Sequence, residues 1–198
     1  MKIDLDTLAA KKKWIAEQES RFAWDLARRV IDLPRLSMWM ILIPIILVYH
    51  VHRHKNALKG RSVFVDHYLL SRIRSLDEAC RAVSGQREPD IDGLVARAVD
   101  LPETARPAYR AWVAALIRHF SDLLRAQGTD FSKLVREAYR SRANYLLFLN
   151  RLNGLEKDLD AALNVHLAET AGDVAETIRR IETATAELRR LLADAVFP

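Results

Sequence analysis

Cysteine, glycine and proline are scarce in this sequence. A single Cys in 198 residues excludes a disulfide framework and any zinc site built on several thiolates. Six Gly and six Pro leave too little turn-forming material for an all-β fold. The short signatures of catalysis are missing as well: there is no phosphate-cradling glycine loop, no G-x-S-x-G, no H-E-x-x-H and no EF-hand loop. No catalytic residue and no cofactor is implied, and the expectation is a protein without enzymatic chemistry. Internal repeats and low-complexity tracts are also absent.

The chain does have 50% hydrophobic and 29% charged residues, a balance that excludes wholesale disorder. One uncharged run dominates, Leu36 to Val51, LSMWMILIPIILVYHV. Sixteen helical residues reach ~24 Å, short of the ~30 Å hydrocarbon core, so a span would require thinning of the bilayer or help from flanking basic stems. The run lies too far into the chain, and lacks the small-residue cleavage site, to be a signal peptide. Trp39 and Tyr49 stand near its two ends, where interfacial aromatics collect. Leu36, Trp39, Ile41, Pro44, Ile46 and Tyr49 are therefore the expected membrane-inserting residues.

The charge is distributed to match. Residues 1–76 carry a net +7, whereas residues 77–198 carry a net −2. The high isoelectric point thus belongs to the neighbourhood of the apolar run, which points to anionic lipid head groups contacted by Arg53, Lys55, Lys59 and Arg61. Nucleic acid is not the expected partner, because the remainder of the chain is mildly acidic and shows no recognition motif. Orientation is balanced: Arg21, Arg28, Arg29 and Arg35 precede the run and four basic residues come after it. That balance fits a segment that enters and returns, with Pro44 at its centre, as well as it fits one short span.

Everything outside the run reads as helix, so the expected fold is all-α: a short membrane-inserting helix and a cytoplasmic bundle of about five helices. Residues 1–34 form an amphipathic helix with Leu8, Ile15, Phe22 and Leu26 on one face. Lys11, Lys12, Lys13, Trp14 and Trp24 would suit a bilayer surface, and packing onto the bundle explains the same pattern. Residues 35–55 are the membrane segment and residues 56–198 the bundle. Within the bundle, Val65, Leu69, Ile73, Leu76, Cys80 and Val83 form one stripe, and Asp100 to Glu103 outlines a capping box. A helix is expected to stop near Asn150, before Asn153-Gly154, and another break is expected near Gly172. Residues 173–196 keep a coiled-coil-like seam of Val174, Ile178, Ile181, Leu188 and Leu192.

Three constellations bear on function. Arg142 has Ala138, Tyr139, Tyr145 and Leu146 as helical neighbours, which makes it either a side chain that snorkels at the bundle edge or an anion- or partner-binding Arg. His50 and His54 share a helical face at a spacing that can hold a metal, although an interfacial basic cluster explains them more simply. The narrow C-terminal seam suits one partner helix, from another protein or from a weakly associating second copy. The expected function is that of a membrane-anchored scaffold or adaptor acting through protein contacts. The alternative is an accessory subunit holding a metal, haem or lipid through His50 and His54.

Overall fold

The computed structural model describes residues 5–31, 60–164 and 171–198. Among these are seven α-helices, one 3-10 turn and no strand, so the fold is all-α. The apolar run and its flank (Leu36, Trp39, Ile41, Pro44, Ile46, Tyr49, His50, Arg53, His54, Lys55 and Lys59) lie outside the described residues. Among the described residues no helix is long and apolar enough to cross a membrane.

Helix α1 (Leu5–Val30) buries Leu8, Ile15, Phe22 and Leu26, widened by Ala23, Ala27 and Val30. It packs against helix α2 (Gly60–Gly85) in an antiparallel register fixed by three polar pairs. Arg61 Nη2 donates to the Ile31 carbonyl at 3.0 Å, Arg72 Nη1 meets Glu19 Oε2 at 2.9 Å, and Lys12 Nζ meets Asp77 Oδ1 at 2.7 Å. The polar face of α1 is partly consumed by the fold: Lys11 is buried and donates to the Leu124 carbonyl at 3.1 Å, capping a neighbouring helix end. Helix α1 thus packs as part of the bundle. Leu8 and Ile15 sit in its main apolar cluster, and a chain starting at Arg61 would lose them.

On α2 the expected stripe is only half right. Val65, Leu76 and Val83 are buried, whereas Leu69, Ile73 and Cys80 are half-buried, because the inward face is rotated toward Ser71, Arg72, Ser75 and Glu78. Glu78 ties down the turn after α2. Its carboxylate accepts from the Asp90 backbone N–H at 2.8 Å and pairs with Arg81 at 2.8 Å and Arg87 at 2.9 Å. Asp90 then caps the short helix α3 (Ile91–Ala96) through Gly93 N–H at 2.8 Å. The capping box at Asp100 does not form. A 3-10 turn over Glu103–Ala105 intervenes, and α4 (Arg106–Arg125) starts with no side-chain cap.

Helix α4 is the central rod, burying Tyr109, Trp112, Val113, Leu116, Ile117, Phe120, Leu123 and Leu124. Gly128 comes next, where a Cβ would lie 2.9 Å from that of Lys133 and 3.0 Å from Leu134 N, so only glycine fits the turn into α5 (Phe131–Tyr139). Asp130 caps α5, as expected. The helix expected to run on to Asn150 instead breaks at Arg140, which adopts the left-handed conformation at φ 64°. Ser141 Oγ accepts from Asn144 N–H at 3.2 Å and restarts the chain as α6 (Arg142–Asn164). Helix α6 then passes straight through Asn153-Gly154, since Gly154 faces open space and nothing interrupts the ladder there.

The last helix, α7 (Ala171–Val196), runs antiparallel to α6, as the pairs Arg142–Asp194 and Lys157–Glu182 require. Helix α6 ends at Asn164 and α7 starts at Ala171, the residue before Gly172. The seam expected to await a partner is turned into the bundle. Leu188 is buried beside Phe22 and Leu26, Ile181 packs on the same cluster, and Leu192 packs on the main core. Val174 has no described side chain. The seam is narrow because it fits the groove between α1 and α6.

Two apolar clusters result. The larger surrounds α4; the smaller joins Phe22, Leu26, Val30, Ile31, Phe64 and Leu188, at the end of the bundle where α1 stops and α2 starts. Burial alone would raise the pKa of Glu78, but the Asp90 N–H and the Arg87 and Arg81 guanidiniums outweigh it and hold it at about 2. A depressed carboxylate contributes stability that is complete above its unfolded value near 4.5 and is lost as pH falls toward 2. We therefore expect Glu78→Gln to cost about 2 kcal/mol at pH 7 and to narrow the gap to the parent as pH drops from 5 to 3, read from urea melts across that range.

Candidate functional site

Four helices contribute charges to one buried point. Glu156 of α6 lies between two guanidiniums. Arg72 Nη2 of α2 meets its Oε1 at 2.6 Å, while Arg189 of α7 reaches Oε2 at 2.7 Å and Oε1 at 2.8 Å. Glu19 of α1 takes the other arm of Arg72, Trp112 Nε1 donates to Glu156 Oε1 at 3.3 Å, and Arg189 also bonds Asn153 Oδ1. Arg72 stacks over Tyr68 with its guanidinium carbon 4.7 Å from the ring centroid, and Arg189 lies 5.8 Å from that of Phe22. Each Arg is only 3% exposed. Burial would raise the pKa of Glu156; Arg189 and Arg72 overcome that and keep it ionised, below the ordinary carboxylate value.

Beside this network a cleft of about 460 Å³ opens between α2, α6 and α7. Its walls are apolar, from Phe64, Leu159, Ile178 and Ile181, and Trp112 and Arg72 close its inner side. Two buried polar atoms of its lining, the Tyr68 hydroxyl and Arg72 Nε, have no hydrogen-bond partner. Burial pushes the pKa of the Tyr68 hydroxyl up to about 12, so it stays protonated. Asp160 has no ion pair among the described residues; burial, then the nearby Glu156 and Glu182 carboxylates, push its pKa up to about 7. A cleft with apolar walls and a few convergent polar groups is the kind of surface that takes a small ligand.

A separate aromatic cluster surrounds His119, whose ring stacks on Phe148 at 4.4 Å and whose Nδ1 lies 2.6 Å from the Tyr139 hydroxyl. Burial first, then Arg72 and Arg189, lower its pKa to about 3, so the imidazole is neutral and structural. Among the described residues no group of three or more His, Cys, Asp or Glu could hold a metal ion.

The residues singled out from sequence fall mostly elsewhere. Arg142 is half-exposed and its Nε donates to Asp194 Oδ1 at 2.8 Å, so it snorkels and is already paired. Its aromatic neighbourhood is partly illusory, because Ala138 and Tyr139 belong to α5, beyond the break at Arg140. Arg61, expected at lipid head groups, instead caps the carbonyl that comes after α1. Ile178 and Ile181 of the C-terminal seam do line the cleft.

Sequence reasoning misses Arg72 and Arg189, although the signal is there. The neighbours of Arg72 at three and four positions are Tyr68, Leu69, Ser75 and Leu76; those of Arg189 are Thr185, Ala186, Leu192 and Ala193. Both are as devoid of charge as those of Arg142. Comparison with protein-family models, curated proteins and solved structures finds no match to this chain.

Removing one member strands a buried charge. We expect Glu156→Gln, which leaves Arg72 and Arg189 facing each other, to cost ~3–5 kcal/mol in a denaturant melt. Asp160 behaves oppositely. A carboxyl whose folded pKa is about 7 against 3.8 unfolded favours the fold when protonated, so its contribution is lost as pH rises toward 7. We expect Asp160→Asn to stabilise the protein by about 1–2 kcal/mol at pH 8 and to change little at pH 4, seen as a difference in melting temperature between the two pH values.

Proposed function

We propose that this protein is a membrane-anchored helical scaffold whose bundle lies wholly on one side of the bilayer and acts through contacts with other proteins. The observation that carries the reading is the hydrogen bond from Arg61 Nη2 to the Ile31 carbonyl at 3.0 Å. It brings together the two ends of the segment that holds the uncharged run Leu36–Val51. A helix crossing a ~30 Å hydrocarbon core would deliver its ends to opposite faces. Ends that lie side by side, closed over by Phe22, Leu26, Val30 and Phe64, favour a segment that enters and returns.

The same geometry gives meaning to the balanced charge. Basic residues flank the run on both sides, and if both flanks share one face, the excess of Lys and Arg argues for the cytoplasmic face. Arg28 and Arg29, exposed at the end of α1 and paired with Asp25 and Glu187, add to the basic character that Arg53, Lys55 and Lys59 would offer to anionic head groups. A metal, haem or lipid held by His50 and His54 gains no support.

Topology is the test. In a Cys80→Ser background, a single cysteine at the exposed Ala9 position or at the exposed Ser84 position reports the two helices that flank the segment. In sealed proteoliposomes we expect a membrane-impermeant maleimide to label the same fraction of each variant. Complementary fractions would mean a single span. Release of the full chain by alkaline carbonate, without vesicle binding, would remove the bilayer from the reading altogether.

A further inference from the structure

The cleft between α2, α6 and α7 has a charge pattern that selects its occupant. Its charged lining is Arg72 and His67 from α2, Glu156, Lys157 and Asp160 from α6, and Glu182, Glu187 and Arg190 from α7. Most of these are already engaged. Glu156 holds Arg72 and Arg189, Lys157 Nζ lies 3.3 Å from Glu182 Oε2, and Glu187 Oε2 lies 3.1 Å from Arg29 Nη1. Arg190 is exposed, outward of the apolar walls. Asp160 is left as a half-buried carboxyl with no counter-ion among the described residues, and the enclosed Tyr68 hydroxyl is a second oxygen with nothing to bond.

We propose that this cleft binds a small organic cation, a primary ammonium carried on an apolar body. The ammonium pairs with Asp160, and the body rests on Phe64, Leu159, Ile178 and Ile181. A cation supplies the one counter-charge that the site lacks. An anion of the same size would meet Asp160 with Arg72 and Lys157 already engaged by Glu156 and Glu182, and would lose its hydration with little return. The volume, about 460 Å³, falls within the ~300–1,000 Å³ range of small-molecule sites. Selectivity arises from the dry walls, because a strongly hydrated metal ion or a bare ammonium ion gains nothing from them. This inference is independent of whether the apolar segment enters a bilayer.

The group that meets the cation sets the pH dependence. Asp160, with a pKa of about 7, is ionised in about one molecule in ten at pH 6 and about nine in ten at pH 8. Binding therefore strengthens as pH rises through that window. Of the other facing groups, Glu182 is paired with Lys157 and Glu156 is held ionised by its two arginines; His67 of α2 also lines the cleft, and repeating the titration in His67→Gln separates its contribution from that of Asp160.

The test is isothermal titration of the full chain with 2-phenylethylamine, 2-phenylethanol and 3-phenylpropionate at pH 6 and pH 8. The amine is expected to bind about tenfold more tightly at pH 8 than at pH 6, and the alcohol and the acid far more weakly than the amine. Asp160→Asn should weaken the amine at least tenfold at pH 8 and abolish its pH dependence. Because that variant is expected to be the more stable protein at pH 8, its loss of binding there would not reflect unfolding. Lys157→Met, which frees Glu182, should tighten the amine. An absence of amine binding at pH 8, equal affinity for amine and alcohol, or undiminished amine binding by Asp160→Asn would each overturn the proposal.

Discussion

The arrangement of the helices depends on the carboxylate of Glu156 and the two guanidiniums that hold it. Each of these three groups would be intolerable in its position alone, since an unpaired charge at such burial costs several kcal/mol. Together with Glu19 they form a set in which two positive and two negative groups balance one another, with Arg72 Nε left unbonded. The members come from α1, α2, α6 and α7, so the network specifies which helix lies beside which. An apolar interface tolerates sliding by a turn; a bidentate Arg–carboxylate pair does not. Trp112 adds the central helix α4 to the same point. In the neighbouring cleft Asp160 has no counter-ion among the described residues, although most of the charges around it are paired.

Much of the architecture is legible in the sequence. The all-helical class comes from periodicity, the shortage of Gly and Pro, and the lack of alternation. The inward faces of α1 and α4 are readable because they are apolar and strictly periodic, and Asp130 and Gly128 mark a helix boundary by ordinary cap chemistry. Two misreadings share a cause. Local propensity favours glycine as the punctuation, so Gly154 reads as a break and Arg140 as helix interior. Tertiary packing instead lets α6 run through Gly154 and forces Arg140 into the left-handed conformation at the α5–α6 corner.

The candidate site is less legible, again for a physical reason. A buried Arg is recognised by its surroundings in space, and helical neighbours are only part of those. For Arg142 the sequence neighbours mislead, since two of them lie across a corner. For Arg72 and Arg189 the neighbours are informative, but their carboxylates lie on other helices, far away in the chain. The charges of the last helix read as a solvated rim, and Arg189 is the one that turns inward. The C-terminal seam is apolar and narrow as its spacing indicates; Leu188 and Leu192 pack into the bundle, while Ile178 and Ile181 line the cleft.

The closeness of the first and last helices bears on the order of events during synthesis. Phe22 packs with Leu188, and Arg29 reaches Glu187, so the groove that α7 fills stays open until nearly the whole sequence has left the ribosome. Over that interval Glu19 and Arg72 have each other, but Glu156 emerges before the Arg189 that completes its shell. The uncharged run between α1 and α2 is translated early and waits longest beside an unfinished bundle. A segment of that character, exposed before the helices around its exit have closed, meets either a bilayer or another unfinished chain. Under the proposed membrane anchoring, early delivery to a membrane surface would protect the nascent protein from aggregation.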